Sequence, residues 1–275
     1  MQQAQDFLDE SEALHHLVAP LSDADLDQKT AFKDWTLNNV LGHLHMWNYA
    51  ADLSLTDEPA FLAFYERVGR HAADGGMLTG FEEKWLDGLN GQALIATWRQ
   101  YYCEMADHFR EADPSMRVKW AGPDMSVRSS ITARLMETWA HGQEIYDVLG
   151  KVRKNTDLIR NIVVLGVNTY GWTFSVRGEE LPMPRPYLSL TAPSGELWTY
   201  NEPSDNELIE GQAEEFCQVV TQVRNIADTK LKVIGDNATN WMSKAQCFAG
   251  GPETPPAPGT RKTTGIGGED ARPIG

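Results

Sequence analysis

Trp35-Thr36-Leu37-Asn38-Asn39-Val40-Leu41-Gly42-His43-Leu44-His45-Met46-Trp47 and Glu137-Thr138-Trp139-Ala140-His141-Gly142-Gln143-Glu144-Ile145-Tyr146-Asp147 are the two stretches on which the reading of the fold turns. Both read as helix. In the first, Asp34 or Thr36 is available as an N-cap, and Val40, His43 and Trp47 recur at three- and four-residue steps along one face. In the second, Glu137, His141 and Ile145 recur every four residues, so Glu137 and His141 rise from one face with Cβ atoms roughly 5–6 Å apart. Each helix therefore turns a histidine toward its apolar side. A carboxylate beside two inward imidazoles is costly to bury unless it is paired or ligates a metal. His43, Glu137 and His141 thus form a candidate His₂Glu set with an open position, the pattern of a catalytic zinc site rather than a closed structural one. Taken alone, E-x-x-x-H is a weak motif, and an intrahelical pair at the surface of a bundle describes Glu137 and His141 better.

Neighbouring residues sort by the same periodicity. His45 shares a face with Asn38, Asn48 and Asp52 and is expected to be solvated or to support the site from outside. Glu144, three residues after His141, is an alternative ligand or a base, and Asp147 a more distant candidate. Trp35, Trp47 and Trp139 are expected to pack the helices, and His15, His16, His71 and His108 to be solvated.

Working outward, helices are expected over about 4–21, 36–55, 91–111 and 126–149, the last stopped by Gly150. Four helices joined by loops, one of them long, predict a four-helix bundle over residues 1–155. Beyond Gly150 the texture changes. Residues 157–174 read as a connecting helix, with Val163-Val164-Leu165 open to a strand reading. Residues 187–191 and 196–200 flank Pro193-Ser194-Gly195 as a hairpin. A helix over 211–224, a strand over 231–234 and a helix over 237–248 complete a small α/β domain spanning 156–249. The Gly-, Pro- and Thr-rich stretch 250–275 is expected to be a flexible tail outside the fold.

Composition narrows the function. A chain of 275 residues, 41% apolar, with nine Trp, nine Phe and eight Tyr, has ample material for a core and suggests two domains. No run approaches the ~20 apolar residues of a membrane span, and Met1-Gln2-Gln3-Ala4-Gln5-Asp6 lacks the character of a secretory signal, so a cytoplasmic location is expected. A formal charge of −15 argues against nucleic acid and acidic membrane partners, leaving a small-molecule substrate acted on by a monomer or homodimer. Cys103, Cys217 and Cys247 form no C-x-x-C pair and read as free thiols.

Residues 35–44 resemble the W-[ST]-x-x-[DN]-V-x-x-H-L segment of the DinB-like metal-binding bundles, and more specifically the N-terminal domain of mycothiol-dependent maleylpyruvate isomerases. That resemblance implies zinc, held by a His of the second bundle helix and by Glu and His of an E-x-x-x-H in the fourth, which here are His43, Glu137 and His141. Residues 188–198 similarly resemble the first hairpin of a sterol-carrier-protein-like domain. The segments 211–216 and 221–224 resemble that domain's helix, whose terminal arginine falls on Arg224, although Thr221-Gln222-Val223 replaces the isomerases' small-residue Leu-Gly turn.

The expectation is an α plus α/β protein: a DinB-like four-helix bundle followed by a sterol-carrier-protein-like domain. Its expected function is a metal-dependent enzyme that uses a small thiol, mycothiol or another low-molecular-weight thiol, as cofactor to isomerise an electrophilic small molecule or to transfer the thiol to it. A divalent metal, zinc first, would sit on His43, Glu137 and His141. Arg224 would pair with a substrate or cofactor carboxylate, and Glu144 would orient a ligand or move a proton. The alternatives are a metal-water hydrolase or hydratase, and a non-catalytic metal- and small-ligand-binding protein.

Overall fold

The computed structural model describes residues 1–261. Helix α1 (Gln2–Val18) leads through a single turn, α2 (Asp23–Leu26), into α3 (Leu37–Thr56). Two shorter helices, α4 (Glu58–Ala73) and α5 (Leu78–Leu86), precede the long α6 (Gly91–Glu111). A short antiparallel pair, β1 (Arg117–Val118) with β2 (Met125–Ser126), then delivers the chain to α7 (Val127–Val148). The four long helices form the expected bundle: α1 packs on α6 and α7, and α3 packs on the same two. Apolar residues at helical spacing drive it, with Phe7, Leu44, Trp98, Tyr102, Leu135 and Trp139 all fully buried.

The elements between α3 and α6 position the site. Phe61, Phe64 and Phe81 of α4 and α5 bury with Met46 and Ala50 in a second apolar cluster. Gly42 lets α5 lie close against α3, because a Cβ there would stand 2.6 Å from Leu86 Cδ1. At the start of α3, the Thr36 hydroxyl accepts a hydrogen bond from the Asn39 amide (3.1 Å), and Asn39 Oδ1 accepts one from the Thr36 amide (3.0 Å). This capping box fixes the phase of α3 from its first turn.

After α7 the chain makes a 3-10 turn at Asp157–Ile159 and two helices, α8 (Arg160–Asn168) and α9 (Tyr170–Ser175), settling the open reading of Val163 to Leu165 as helix. Strands β3 (Tyr187–Thr191), β4 (Leu197–Tyr200) and β5 (Leu208–Gln212) are followed by α10 (Ala213–Val220), β6 (Lys232–Ile234) and α11 (Asp236–Met242). The sheet order is β4-β3-β5-β6, parallel only between β3 and β5. Helix α8 joins bundle and sheet by packing on both α7 and α10. The absence of a side chain at Gly166 permits this, since a Cβ would meet Phe216 Cε1 at 2.9 Å.

The structure corrects three expectations here. Residues 208–212 form a strand where the helix was expected to begin at 211, because β3 and β6 supply backbone partners on both sides. Helix α11 stops at Met242 rather than 248, and Gln246 Nε2 instead donates to the Gly251 carbonyl (3.0 Å). Most consequentially, residues 250–261 are no flexible tail. Glu253 pairs with Lys33 of the bundle side (3.0 Å), Asn225 donates to the Pro256 carbonyl (2.8 Å), and Arg261 pairs with Glu144 of α7 (2.7 Å). These bonds supply the partners that Gly- and Pro-rich composition gave no sign of; the rest of the predicted tail, 262–275, lies outside the described residues. Among the described residues no helix is long and apolar enough to cross a membrane. The three cysteines are free, as expected.

Candidate functional site

The residues from Thr30 to Trp35 curl tightly onto α3, with the Thr30 amide donating to the Trp35 carbonyl (2.7 Å) and both Lys33 (φ 52°) and Asp34 (φ 58°) in the left-handed region. Non-glycine residues rarely adopt that conformation, and here it sets Phe32 and Trp35 over the inward histidines. The Trp35 ring stacks on His141 (centroids 5.8 Å apart, 9° between planes), and Phe32 meets His141 edge-on at 5.3 Å.

Beneath this aromatic cover the structure brings His43, Glu137 and His141 together. One nitrogen of each imidazole and one carboxylate oxygen all lie within 4.8 Å of one another. Glu137 Oε2 is 3.6 Å from His43 Nε2 and 3.3 Å from His141 Nε2. Donors around a tetrahedral ion with bonds of about 2.0–2.2 Å are spaced by roughly 3.3–3.6 Å, so the trio fits a small divalent cation in chemistry, and Glu137 stands at that spacing from both imidazoles.

Behind it stands a residue that sequence reasoning missed: Glu82 of α5, whose Oε1 accepts from His43 Nδ1 at 2.7 Å. A carboxylate on the far nitrogen is what orients a ligating imidazole and fixes its tautomer. No spacing rule finds Glu82, which is 39 residues from His43 and on a different helix. A second missed residue, Arg134, is fully buried one turn before Glu137 and donates to Asn48 Oδ1 (3.0 Å). Its i,i+3 relation to Glu137 was a usable signal.

The charges of this cluster are interlocked. Burial works against the Glu137 carboxylate, but hydrogen bonds from His141 and His43 and the charges of His141 and Arg134 hold its pKa well below the usual range. Burial also disfavours the His43 imidazolium, yet Glu82 and Glu137 outweigh it and raise its pKa to about 9. His141 is depressed by burial, only partly offset by Glu137. Burial lowers Arg134 to about 10, so it stays cationic at neutral pH. Without an ion, the trio keeps its proton on His43 and balances its charge. A dication that displaced this proton would leave a surplus of one positive charge, which a single anionic ligand neutralises.

The trio forms the floor of a cavity of about 440 Å³ walled by Phe32, Trp35, Met136 and Ala140, by Thr221 to Val223, and by residues of the 248–261 segment. Glu144 lines this cavity and its Oε1 pairs with Arg261 Nη1 at 2.7 Å. Burial is the main cause of a Glu144 pKa raised to about 7, with Arg261 pulling the other way. Arg224, expected at the substrate, is not among the residues the structure places on the cavity wall. Its Nη1 and Nη2 engage the two oxygens of Asp147, both at 2.7 Å, and Nη1 also donates to its neighbour's carbonyl at Val223 (2.8 Å). That two-point pairing, buried between α7 and the turn after α10, takes the Nη1/Nη2 end of the guanidinium. His45 is likewise not solvated: it is buried against Trp85 and Tyr101 with burial depressing its pKa to about 4. His108 is exposed, as expected, and pairs with Asp52 at 2.8 Å.

A helical bundle that opens a two-histidine, one-carboxylate floor toward an appended mixed sheet defines a recognisable class of two-part proteins. Residues 7–146 match the family described as mycothiol maleylpyruvate isomerase N-terminal domain, and the chain belongs to that family. It is also 32% identical to an uncharacterized protein of Mycobacterium tuberculosis, found alike in strains CDC 1551 and H37Rv, over 88% of this chain and 93% of the relative. Among solved structures it is similar to the mycothiol-dependent maleylpyruvate isomerase (TM-score 0.52, 15% identity, 79% of this chain and 87% of that one). A histidine-to-alanine mutant of that enzyme matches over the same shares (TM-score 0.51, 16% identity). These likenesses establish the shared α plus α/β fold.

Proposed function

We propose that this chain is a metal-dependent enzyme in which a small thiol, mycothiol or a low-molecular-weight analogue, isomerises or is transferred to an electrophilic small molecule. The observation that carries the reading is the His43, Glu137 and His141 trio opening on a 440 Å³ cavity, with donors for one small divalent ion and backed by Glu82. These three side chains would hold the metal, zinc or another ion that accepts imidazole and carboxylate. Such a cation supplies charge that keeps a thiol deprotonated at neutral pH. The charge balance of the cluster favours one anionic ligand, which a thiolate would satisfy, as would the hydroxide of a bound water.

The chain's own residues do the rest. Glu82 holds the His43 ring through Nδ1, leaving Nε2 for the cavity side. Phe32 and Trp35 pack against His141 as an apolar cover, and such a cover strengthens electrostatic interactions beneath it. Glu144, with a pKa of about 7, is suited to accept the thiol proton and return it as the product leaves. The same carboxyl would serve a hydrolase or hydratase, which is the second reading.

Metal analysis of the purified protein tests the proposal. About one metal per chain is expected, with none retained in His43→Ala or Glu137→Ala. Glu82→Gln, which keeps all three donors, is expected to bind metal about 10–100-fold more weakly by chelator competition. In the cobalt-substituted protein a thiol should shift the visible spectrum. A spectrum indifferent to thiols would move the reading to hydrolysis or hydration, and a wild-type protein that takes up no metal would end both.

A further inference from the structure

The turn that leads to Arg224 also meets another arginine. Gln222 takes a left-handed conformation (φ 59°), and its carbonyl accepts a hydrogen bond from Arg261 Nη1 at 3.3 Å. The same nitrogen pairs with Glu144 Oε1 at 2.7 Å, and the guanidinium lies 5.2 Å from the Phe32 ring centroid. Three surfaces thus locate Arg261: α7, the turn after α10, and the aromatic wall. The segment that carries it is itself tied down on the way, with the Glu253 carbonyl accepting from Arg177 (2.5 Å) and Gln222 (3.3 Å) and the Gly259 amide donating to Asp228 (2.8 Å). The side chain is 13% exposed and lines the cavity.

A guanidinium carries five donors in a rigid fork. Two of them, on Nη1, are used by Glu144 and the Gln222 carbonyl. Among the described residues no partner is bonded to Nε or Nη2, and these two nitrogens form the edge that grips a carboxylate at two points. Lys33, on the same wall, adds a second positive charge near the rim, shared with Glu253.

We propose that Arg261 is the specificity-determining residue of this cavity, docking a carboxylate of the substrate on its Nε/Nη2 edge. The assignment rests on the reading of the cavity as a substrate site, and what it adds is the residue that reads the carboxylate. It also gives residues 250–261 a purpose, as the strap that carries the docking charge over the site.

Maleate and its uncharged diamide, maleamide, are the probes, with binding to the full-length protein followed by calorimetry. Wild type is expected to bind maleate and to discriminate strongly against maleamide. Arg261→Gln should bind maleate about 10–100-fold more weakly, as loss of charge-assisted hydrogen bonds implies, while Arg261→Lys should fall between. Unchanged near-UV circular dichroism and metal content in Arg261→Gln would exclude a folding or metal defect as the cause. Equal maleate affinity in wild type and Arg261→Gln overturns the assignment. So does wild-type binding of maleamide as tight as maleate, or no wild-type binding of maleate at all. A wild type that binds maleate through Arg261 yet holds no metal would sink the metal-dependent reading and leave this one standing.

Discussion

Glu144 shows how much of the cavity's chemistry rests on single side chains. Its carboxyl is 2% exposed, and burial raises its pKa from 4.5 to about 7. A carboxyl raised on folding favours the protonated chain, so its contribution to stability is complete below about pH 4.5 and is lost as pH rises through about 7. In the metal-free protein, urea unfolding from pH 4.5 to 8 should therefore show wild type losing roughly 3 kcal/mol relative to Glu144→Gln as the carboxyl ionises. Parallel pH profiles for the two proteins would mean that the Arg261 charge cancels the burial penalty outright. Sequence periodicity already marked Glu144, His141 and Glu137 as neighbours, because i,i+3 and i,i+4 relations are properties of one helix. It said nothing of Glu82 or Arg261, whose contacts join different elements, nor of the pairing of Arg224 with Asp147.

Helix α3 is the element that makes the site possible, since it carries His43 and offers Gly42 to α5. Its capping box is a local device and easily tested. Thr36→Ala removes the acceptor for the Asn39 amide and is expected to cost about 1 kcal/mol in urea unfolding. An unchanged midpoint would show that packing alone holds the first turn. The long helices were legible in sequence almost to their ends: 91–111 was expected and Gly91–Glu111 is found. Strand β5 was not legible, because Leu208 to Gln212 become a strand only where β3 and β6 offer ladders on both sides. A short segment takes its state from its neighbours, whereas a long amphipathic helix largely specifies its own.

At the level of the molecule, bundle and sheet region share one buried apolar cluster, stapled by polar contacts remote in sequence. Arg153, just after α7, pairs with Glu10 of α1, donates to the Trp139 carbonyl (2.7 Å) and stacks over Trp139 (4.8 Å). Both partners are buried, and burial leaves the Glu10 carboxyl above its ordinary pKa despite the arginine. Such a pair adds little over an apolar replacement, but removing one member strands the other. Arg153→Ala should thus destabilise by about 3–5 kcal/mol, and Glu10→Leu/Arg153→Met should recover most of it. Denaturant midpoints decide between this and a negligible pair.

By itself, the sequence determined the helices, their inward faces, the paired Glu137 and His141, the inward His43, and the family resemblance. All are readable because helical phase depends on residues a few positions apart. Only the tertiary structure decided that Glu82 supports His43, that Arg224 pairs with Asp147, and that residues 250–261 close over the cavity with Arg261. Those contacts span 39, 77 and 117 residues, and at such separations partners are chosen by packing and burial, which no local pattern encodes.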